Sequence, residues 1–325
     1  MKTSYILTVV EELIKNQDNF ISGSFLGKQL GISRTAIKKI IDGLEKKGYV
    51  ISGRTGAGYC LLKLPEYPET HAVQALLNLR GFGNIKYSYE AVVDSTQQEA
   101  ARFLTKRDFR IEPEQHFVFV AGKQTRGKGR MGRPWYSDEG GIWMTFIFNR
   151  PVLVKDLNYY PLASAISVID FLKRFFGISC KLKWPNDVVI DNKKIAGILV
   201  SGRIEVDLAS QLVIGVGVNV NNQLAPEIKK LSTSVAELTG KKYELLMPVV
   251  ELITSFYNEL TSINPEKVIQ RANDLLWKKE KEGWITGPTG KKEKVVIKKI
   301  GSSGELIADV DGEEKEFFAA EIDFP

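Results

Sequence analysis

Apolar residues recur every three to four positions at the start of the chain and every second position soon after. Leu7, Val10, Leu13 and Ile14 share one face of a helix predicted over 5–16. A short helix is predicted over 25–30, with Ser24 as its N-cap and Gly31 as the turn that ends it. Ser33 then caps a helix running to about 47, in which Ala36, Ile37, Ile40, Ile41 and Leu44 form the apolar face. Arg34, Thr35, Lys38 and Lys39 are left pointing outward. After Gly48 the period falls to two: 49–51 and 59–62 alternate like strands, with Arg54 on the hairpin tip over 53–58. Two helices joined by a glycine turn and followed by a hairpin make a winged helix-turn-helix over 1–64. Pro65 and Pro68 mark 65–69 as an extended spacer.

Beyond the spacer the pattern alternates strand and helix, and a domain over 70–275 is expected. A strand over 91–93 enters a helix at Ser95, where Ser95 and Gln98 read as a capping box. That helix start also suits small polar contacts to a ligand. Buried strands are expected over 116–121 and 140–148, and a long amphipathic helix over 159–176. Two apolar strand pieces over 181–190 are broken by Pro185, Asn186 and Asp187. Asn186 and Asp187 either satisfy turn amides or face a ligand, with Asp187 suited to Mg²⁺ or to an amine. Lys194 opens the next strand, as an ordinary hairpin lysine or as one reaching into a site. Gly215 and Gly217 alternate in a strand over 213–221, so one face of it admits close approach. No helix follows, which excludes a dinucleotide fingerprint.

Composition narrows the class. The chain has 325 residues, 43% hydrophobic, enough for two or three cores. Cys60 and Cys180 lie far apart with no metal-type spacing, the usage of a reducing cytosol. The apolar run over 5–10 is broken by Glu11 and Glu12, unlike a signal segment, and no run of 18 apolar residues exists. Residues 1–64 hold ten Lys/Arg against five acids, most of the net charge of +6. A basic end on a near-neutral body fits a tethered nucleic-acid module or a solvated basic face. In the first case Lys38, Lys39 and Arg54 would contact phosphates, and Arg34 and Thr35 base edges. The alternative is a winged helix used for protein contact.

The densest chemistry lies at 127–135. Gly127, Gly129 and Gly132 alternate with Lys128, Arg130 and Arg133, and Trp135 closes the segment. Glycine lets backbone N–H groups approach an anion, guanidinium forks bind phosphate oxygens, and an indole stacks on a nucleobase. Gly122 to Lys128 fits G-x-x-x-x-G-K, but Gly129 stands where a P-loop needs Ser or Thr. Gly132 and Pro134 then forbid the helix that loop requires. The two histidines, His71 and His116, sit beside no readable nucleophile, and no His/Cys metal cluster is present. Attack of a carboxylate on the α-phosphate of ATP needs no histidine base, because the nucleophile is already ionised. Lys128, Arg130, Arg133 and Lys194 suit the charge neutralisation that step demands.

These motifs together resemble the bifunctional biotin protein ligases that also repress the biotin operon. The resemblance rests on 31–37 in the winged helix, Asp94-Ser95-Thr96, the 127–135 loop, Lys183-Trp184-Pro185-Asn186-Asp187, 194–199 and 215–219. It covers essentially the whole chain in order. It implies an α+β multidomain protein with a central mixed sheet like that of class II aminoacyl-tRNA synthetases and an SH3-like barrel over 283–325. Short strands predicted over 294–300, 305–310 and 316–320 agree with the last. The resemblance implies Ser95, Thr96, Gln97, Gln124, Lys128, Gly129, Arg130 and Lys194 around biotin. It implies Gly127, Arg130, Arg133, Trp135, Asn186, Lys194 and Asn219 around ATP or the adenylate. Lys194, Arg130 and Asp187 would act in catalysis, Asp187 holding the acceptor amine or Mg²⁺.

The implied substrates are biotin and MgATP, the acceptor a biotin carboxyl carrier protein of acetyl-CoA carboxylase. Operator DNA, a homodimer formed through the central sheet and a cytoplasmic setting complete the expectation. Lys128 departs from the arginine usual in that loop, keeping the charge and losing the fork. A repressor without ligase activity and a lipoate or octanoate transferase are the alternatives. The glycine content of 127–135 predicts a loop that orders only over ligand.

Overall fold

The structure is a computed structural model that describes residues 3–105, 112, 114–287 and 290–323. The chain packs as two compact units, 1–89 with 244–251, and 90–243 with 252–325. The expected boundary at 64 therefore does not separate compact units.

In the first unit α1 (Thr3–Lys15), α2 (Gly23–Leu30) and α3 (Arg34–Glu45) precede the hairpin of β1 (Val50–Arg54) and β2 (Gly58–Lys63), and α4 (Thr70–Leu79) follows. Val10, Leu13, Leu26, Ile37, Ile41, Leu44 and Leu61 are buried, so the predicted apolar faces do meet. The α2 cap is Ser22 and not Ser24: the Ser22 hydroxyl accepts from Phe25 N at 3.0 Å, and the helix starts two residues earlier than predicted. Gly31, at φ 66°, ends α2 in the left-handed region that favours glycine. Ser33 caps α3 as expected, accepting from Ala36 N at 3.1 Å. Arg34, Thr35, Lys38, Lys39 and Arg54 are all exposed.

Residues 65–69 do not form a free spacer. Glu69, only 3% exposed, accepts from Tyr49 Oη and Lys47 Nζ, both at 2.8 Å, and from the backbone N–H groups of His71 and Ala72. It thereby caps α4 and ties it to the end of α3 and the start of β1. Burial pushes the Glu69 carboxyl up, but bonds from His71, Lys47 and Tyr49 outweigh this and lower it to about 2.

The second unit holds the larger sheet, which β3 (Ile85–Val93) enters from the first unit. Along the chain come α5 (Thr96–Leu104), β4 (His116–Gln124), β5 (Ile142–Phe148), β6 (Val152–Leu153) and α6 (Tyr159–Phe176). Next are β7 (Lys181–Lys183), β8 (Asp187–Ile190), β9 (Lys193–Glu205), β10 (Leu208–Val218), α7 (Val235–Thr239), α8 (Leu246–Thr261) and α9 (Pro265–Leu275). The strand order is β3-β4-β5-β10-β9-β8-β7, with β6 also paired to β10, and the ladders from β4 to β7 are antiparallel. Phe146 meets Phe256 of α8, and Phe148 meets Tyr160 of α6, so these helices cover one face. The alternate residues of β5, among them Thr145, face the other side, where α5 lies. Ala100 of α5 packs there with Phe117 and Ile147.

The chain ends in a five-stranded antiparallel sheet of β11 (Glu282–Thr286), β12 (Lys292–Ile300), β13 (Leu306–Val310), β14 (Glu313–Phe317) and β15 (Glu321–Asp323), in the order β14-β13-β12-β11-β15. The last predicted strand, over 316–320, lies three residues too late. Asp311 and Gly312 both adopt positive φ (56° and 91°), a two-residue hairpin turn, so pairing resumes at Glu313. Cys60 and Cys180 are both free and buried. Among the described residues no helix is long and apolar enough to cross a membrane.

Candidate active site

A cavity of about 520 Å³ opens on the α5 face of the large sheet, and β15 supplies part of its rim. Ser95, Thr96, Gln97, Gln124, Lys128, Gly129, Arg130, Arg133, Trp135, Asn186, Asp187, Lys194 and Asn219 all line it. Residues spread over more than 120 positions of sequence are thus brought to one place. Gly127 is the exception. It lies beneath the loop, where a Cβ would sit 2.4 Å from the Trp135 carbonyl oxygen.

The start of α5 forms a polar wall. The Gln124 side-chain oxygen accepts from Thr96 N at 2.8 Å and from Thr96 Oγ1 at 3.1 Å, while its nitrogen donates to Ser137 Oγ at 2.7 Å. Thr145 Oγ1 donates to Thr96 Oγ1 at 2.8 Å. The capping box at Ser95 does not form: its buried hydroxyl makes no cap bond. Asp94 accepts from Ser95 N at 2.7 Å. Hydrogen bonds from Arg102 hold its carboxyl well below the usual carboxylate range, against a smaller opposing push from burial. The Ser95 hydroxyl is left for the cavity.

The 127–135 segment is a hairpin and not an open loop. Trp135 N donates to Gly127 O at 2.9 Å, and Gly129 N to Arg133 O at 2.8 Å, with a tight turn at Arg130–Gly132. Arg130 reaches inward and donates to Asn186 Oδ1 at 2.9 Å; Asn186 in turn donates to Ile198 O. Burial presses the Arg130 pKa down and Asp187 draws it back up. Arg133 instead points to the rim, where it pairs with Glu321 of β15. Lys128 is exposed.

On the far wall Lys194 Nζ lies 2.7 Å from Asp187 Oδ1 and 4.8 Å from the centre of the Trp135 ring. The β7–β8 turn at Trp184-Pro185-Asn186 sets Asp187 opposite Gly197, two register pairs from Val189 opposite Lys194. Asn219 lines the cavity, yet both ends of its amide are committed. Its nitrogen donates to Thr233 O at 3.1 Å, and its oxygen accepts from Asn222 Nδ2 at 3.1 Å.

Neither histidine joins the site: His71 bonds to Glu69, and His116 stacks on Phe148 in the core. Among the described residues no group of three His, Cys, Asp or Glu could hold a metal ion. Asp187 is already paired with Lys194, and the other lining carboxylates, Glu321 and Asp323, belong to β15 at the rim, so the site fits Mg²⁺ only as an ion carried in on substrate phosphates.

The profile of the "Biotin/lipoate A/B protein ligase family" matches residues 89–219, and an HTH-domain profile matches residues 6–60. The bifunctional ligase/repressor BirA of Bacillus spizizenii is 33% identical over 260 residues, covering 79% of this chain and 78% of its own length. The chain belongs to the bifunctional biotin protein ligase/repressor family. BirA of Bacillus subtilis is 32% identical over the same share of this chain, 79%, and 78% of its own. The biotin protein ligase from Aquifex aeolicus in complex with biotin and ATP superposes with a TM-score of 0.62 at 25% identity, over 74% of this chain and 99% of that one.

As a member of this ligase/repressor family, the chain carries site residues that the sequence reading missed. Lys183 lines the cavity with its ammonium 5.4 Å from the centre of the Trp277 ring, and burial lowers its pKa. Glu321 and Asp323 of the C-terminal sheet also line it. Lys183 was findable, since it opens the motif that supplied Asn186 and Asp187. Glu321 and Asp323 carried no signal, because their strand is three residues long and Arg133, which pairs with Glu321, lies far away in sequence.

Proposed function

We propose that the protein joins biotin to ATP as biotinyl-5′-adenylate and then passes the biotinyl group to one lysine of a biotin carboxyl carrier protein. The observation that carries this is Lys194 beside Asp187, with Arg130 facing them, between the polar wall at Ser95–Gln97 and the indole of Trp135. In the first step a carboxylate oxygen of biotin bonds to the α-phosphorus of ATP, and the bond to the β-phosphate oxygen breaks to release pyrophosphate. Lys194 and Arg130 draw the two anions together and neutralise charge that develops on the phosphoryl oxygens. Asn186 holds Arg130 in place for that task. Mg²⁺ arriving with the nucleotide would neutralise the leaving pyrophosphate, with Asp187 the one carboxylate near enough to help hold it.

In the second step the acceptor amine attacks the acyl carbon and AMP leaves. Asp187 orients the amine and draws its proton away. Ser95, Thr96, Gln97, Gln124, Lys128 and Gly129 face the biotin ring system and valeryl chain. Trp135 and Arg133 serve the nucleotide half, Gly127 anchors the hairpin that carries them, and Asn219 braces the wall behind through Thr233 and Asn222. The central sheet is of the class II synthetase-like type, and the C-terminal sheet is an SH3-like barrel that completes the rim.

The adenylate-bound form acts as a homodimer that binds the biotin operator through the winged helix of residues 1–64, in the cytoplasm. The division into 1–64, 70–275 and 283–325 is one of function. Pyrophosphate release with biotin, lipoate or octanoate in turn tests the reading. Biotin alone is expected to support release, and Lys194→Ala to lower it by at least about a hundredfold. Release with octanoate in preference to biotin would move the protein to the transferase branch. No release with any acid, alongside biotin-dependent operator binding, would make it a repressor only.

A further inference from the structure

The cavity floor is set by one strand. In register across the sheet, Thr145, Gly215 and Leu199 form one row, and Trp143, Gly217 and Gly197 the next but one. Residues directly opposite in a ladder point to the same face, so both rows face the cavity. Each row has a gap where a side chain would be, and each gap is filled from above. A Cβ on Gly215 would lie 2.8 Å from Gln97 Nε2. A Cβ on Gly217 would lie 2.4 Å from Trp135 Nε1, and one on Gly197 would lie between Lys194 Cε at 2.9 Å and Trp135 Cζ3 at 3.0 Å.

Both filled positions are independently fixed. Gln97 Nε2 donates to Leu199 O at 3.0 Å, within the Gly215 row. Trp135 meets Trp143 edge-on at 6.5 Å, within the Gly217 row, and its indole N–H is buried without a hydrogen-bond partner. No hydrogen bond therefore holds the indole. Lys194 lies over its ring, and the two missing side chains beneath it set how close to the strand it sits.

We propose that Gly215 and Gly217 of β10 are positioning residues that divide the cavity, Gly215 seating Gln97 for the acid and Gly217, with Gly197, seating Trp135 for the nucleobase. The proposal rests on the ligase reading above. Two residues along a strand span about 6.6 Å, so the strand itself sets the spacing of the two half-sites. A methyl group at 217 lifts the indole and leaves Gln97 untouched; one at 215 does the reverse.

Steady-state adenylation and acrylamide quenching of Trp135, the latter read as wild type minus Trp135→Phe, test this together. Gly217→Ala is expected to raise the quenching of Trp135 and to raise the ATP KM by roughly tenfold, with the biotin KM within about twofold. Gly215→Ala is expected to raise the biotin KM and leave Trp135 quenching as it was. In a Trp135→Ala background, Gly217→Ala should add nothing further to the ATP KM, since a residue acting through Trp135 has no partner left to act on. Should Gly217→Ala fail to fold, Gly217→Ala combined with Trp135→Ala is expected to fold, because the three atoms nearest the added methyl all belong to the indole.

Unchanged quenching in folded Gly217→Ala protein overturns the seat, as does a Gly217→Ala chain that stays unfolded when Trp135 is also replaced by Ala. So does an equal rise in both KM values, or an additive effect in the Trp135→Ala background. Raised quenching with an unchanged ATP KM leaves the seat standing and overturns the assignment of Trp135 to the nucleobase.

Discussion

At the scale of single residues, the cavity separates groups that are free to act from groups already spent. Asn219 is spent: its amide holds Thr233 O on one side and Asn222 on the other, and it is 3% exposed. Leaving those buried partners unpaired costs about 1–3 kcal/mol. Asn219→Ala is therefore expected to lower unfolding free energy by that amount in urea titration, with or without ATP. A variant as stable as the wild type would return Asn219 to a purely ligand-facing role. Ser95 shows the opposite. Sequence offered it a cap, but the structure shows no side-chain cap bond there, and its hydroxyl is released. Local chemistry in the sequence marked 94–97 as a polar helix start, and Ser95, Thr96 and Gln97 do line the cavity. It did not tell donor from spectator, because Gln124 and Thr145, whose bonds decide the matter, lie on other strands.

At the scale of elements, periodicity served well where one face of a helix or strand is apolar. α3, α6 and β5 all lie where the pattern put them. It failed where polar tertiary contacts define the element. Residues 65–69 read as a spacer because two prolines dominate them locally, yet Glu69 draws α3, β1 and α4 together. Its carboxyl is lowered in the folded chain to about 2 from an ordinary value of 4.5. The unfolded chain thus binds the extra proton first as pH falls. The stabilisation is fully present above about pH 4.5, and is lost as pH drops toward the folded value. The amount is on the order of 3 kcal/mol. Glu69→Gln is expected to be less stable at neutral pH and to lose this segment of the acid dependence. Parallel stability curves for the two proteins between pH 5 and about pH 2 would show that Glu69 contributes none of it.

At the scale of the whole molecule, charge and chemistry are segregated along the chain. The exposed cations of α3 and the β1–β2 hairpin lie in one compact unit, and every residue lining the cavity lies in the other. This much was legible from sequence, because the basic excess falls before residue 64 and the anion-binding motifs after residue 94. The contribution of the C-terminal sheet to the cavity rim was not. On the proposed reading, loss of Lys38 and Lys39 together should lower the salt dependence of operator binding by up to about 0.9 per phosphate contact removed, equally on operator and random DNA. Arg34→Ala should instead weaken operator binding by about 1–3 kcal/mol and random DNA much less. Fluorescence anisotropy across a salt series measures both, with biotin ligation as the control that neither variant should move. Equal losses on both DNAs for Arg34→Ala would remove it from sequence reading.

The two cysteines carry a practical consequence. Cys60 and Cys180 are buried, and burial pushes the Cys180 thiol up to about 12, far from the thiolate that reacts with maleimides. The natural chain is thus already a quiet background for site-directed labelling. A single spin or fluorescent label through M131C, at the exposed tip of the hairpin and outside the cavity lining, would report when that segment orders, with no native cysteine to be removed first.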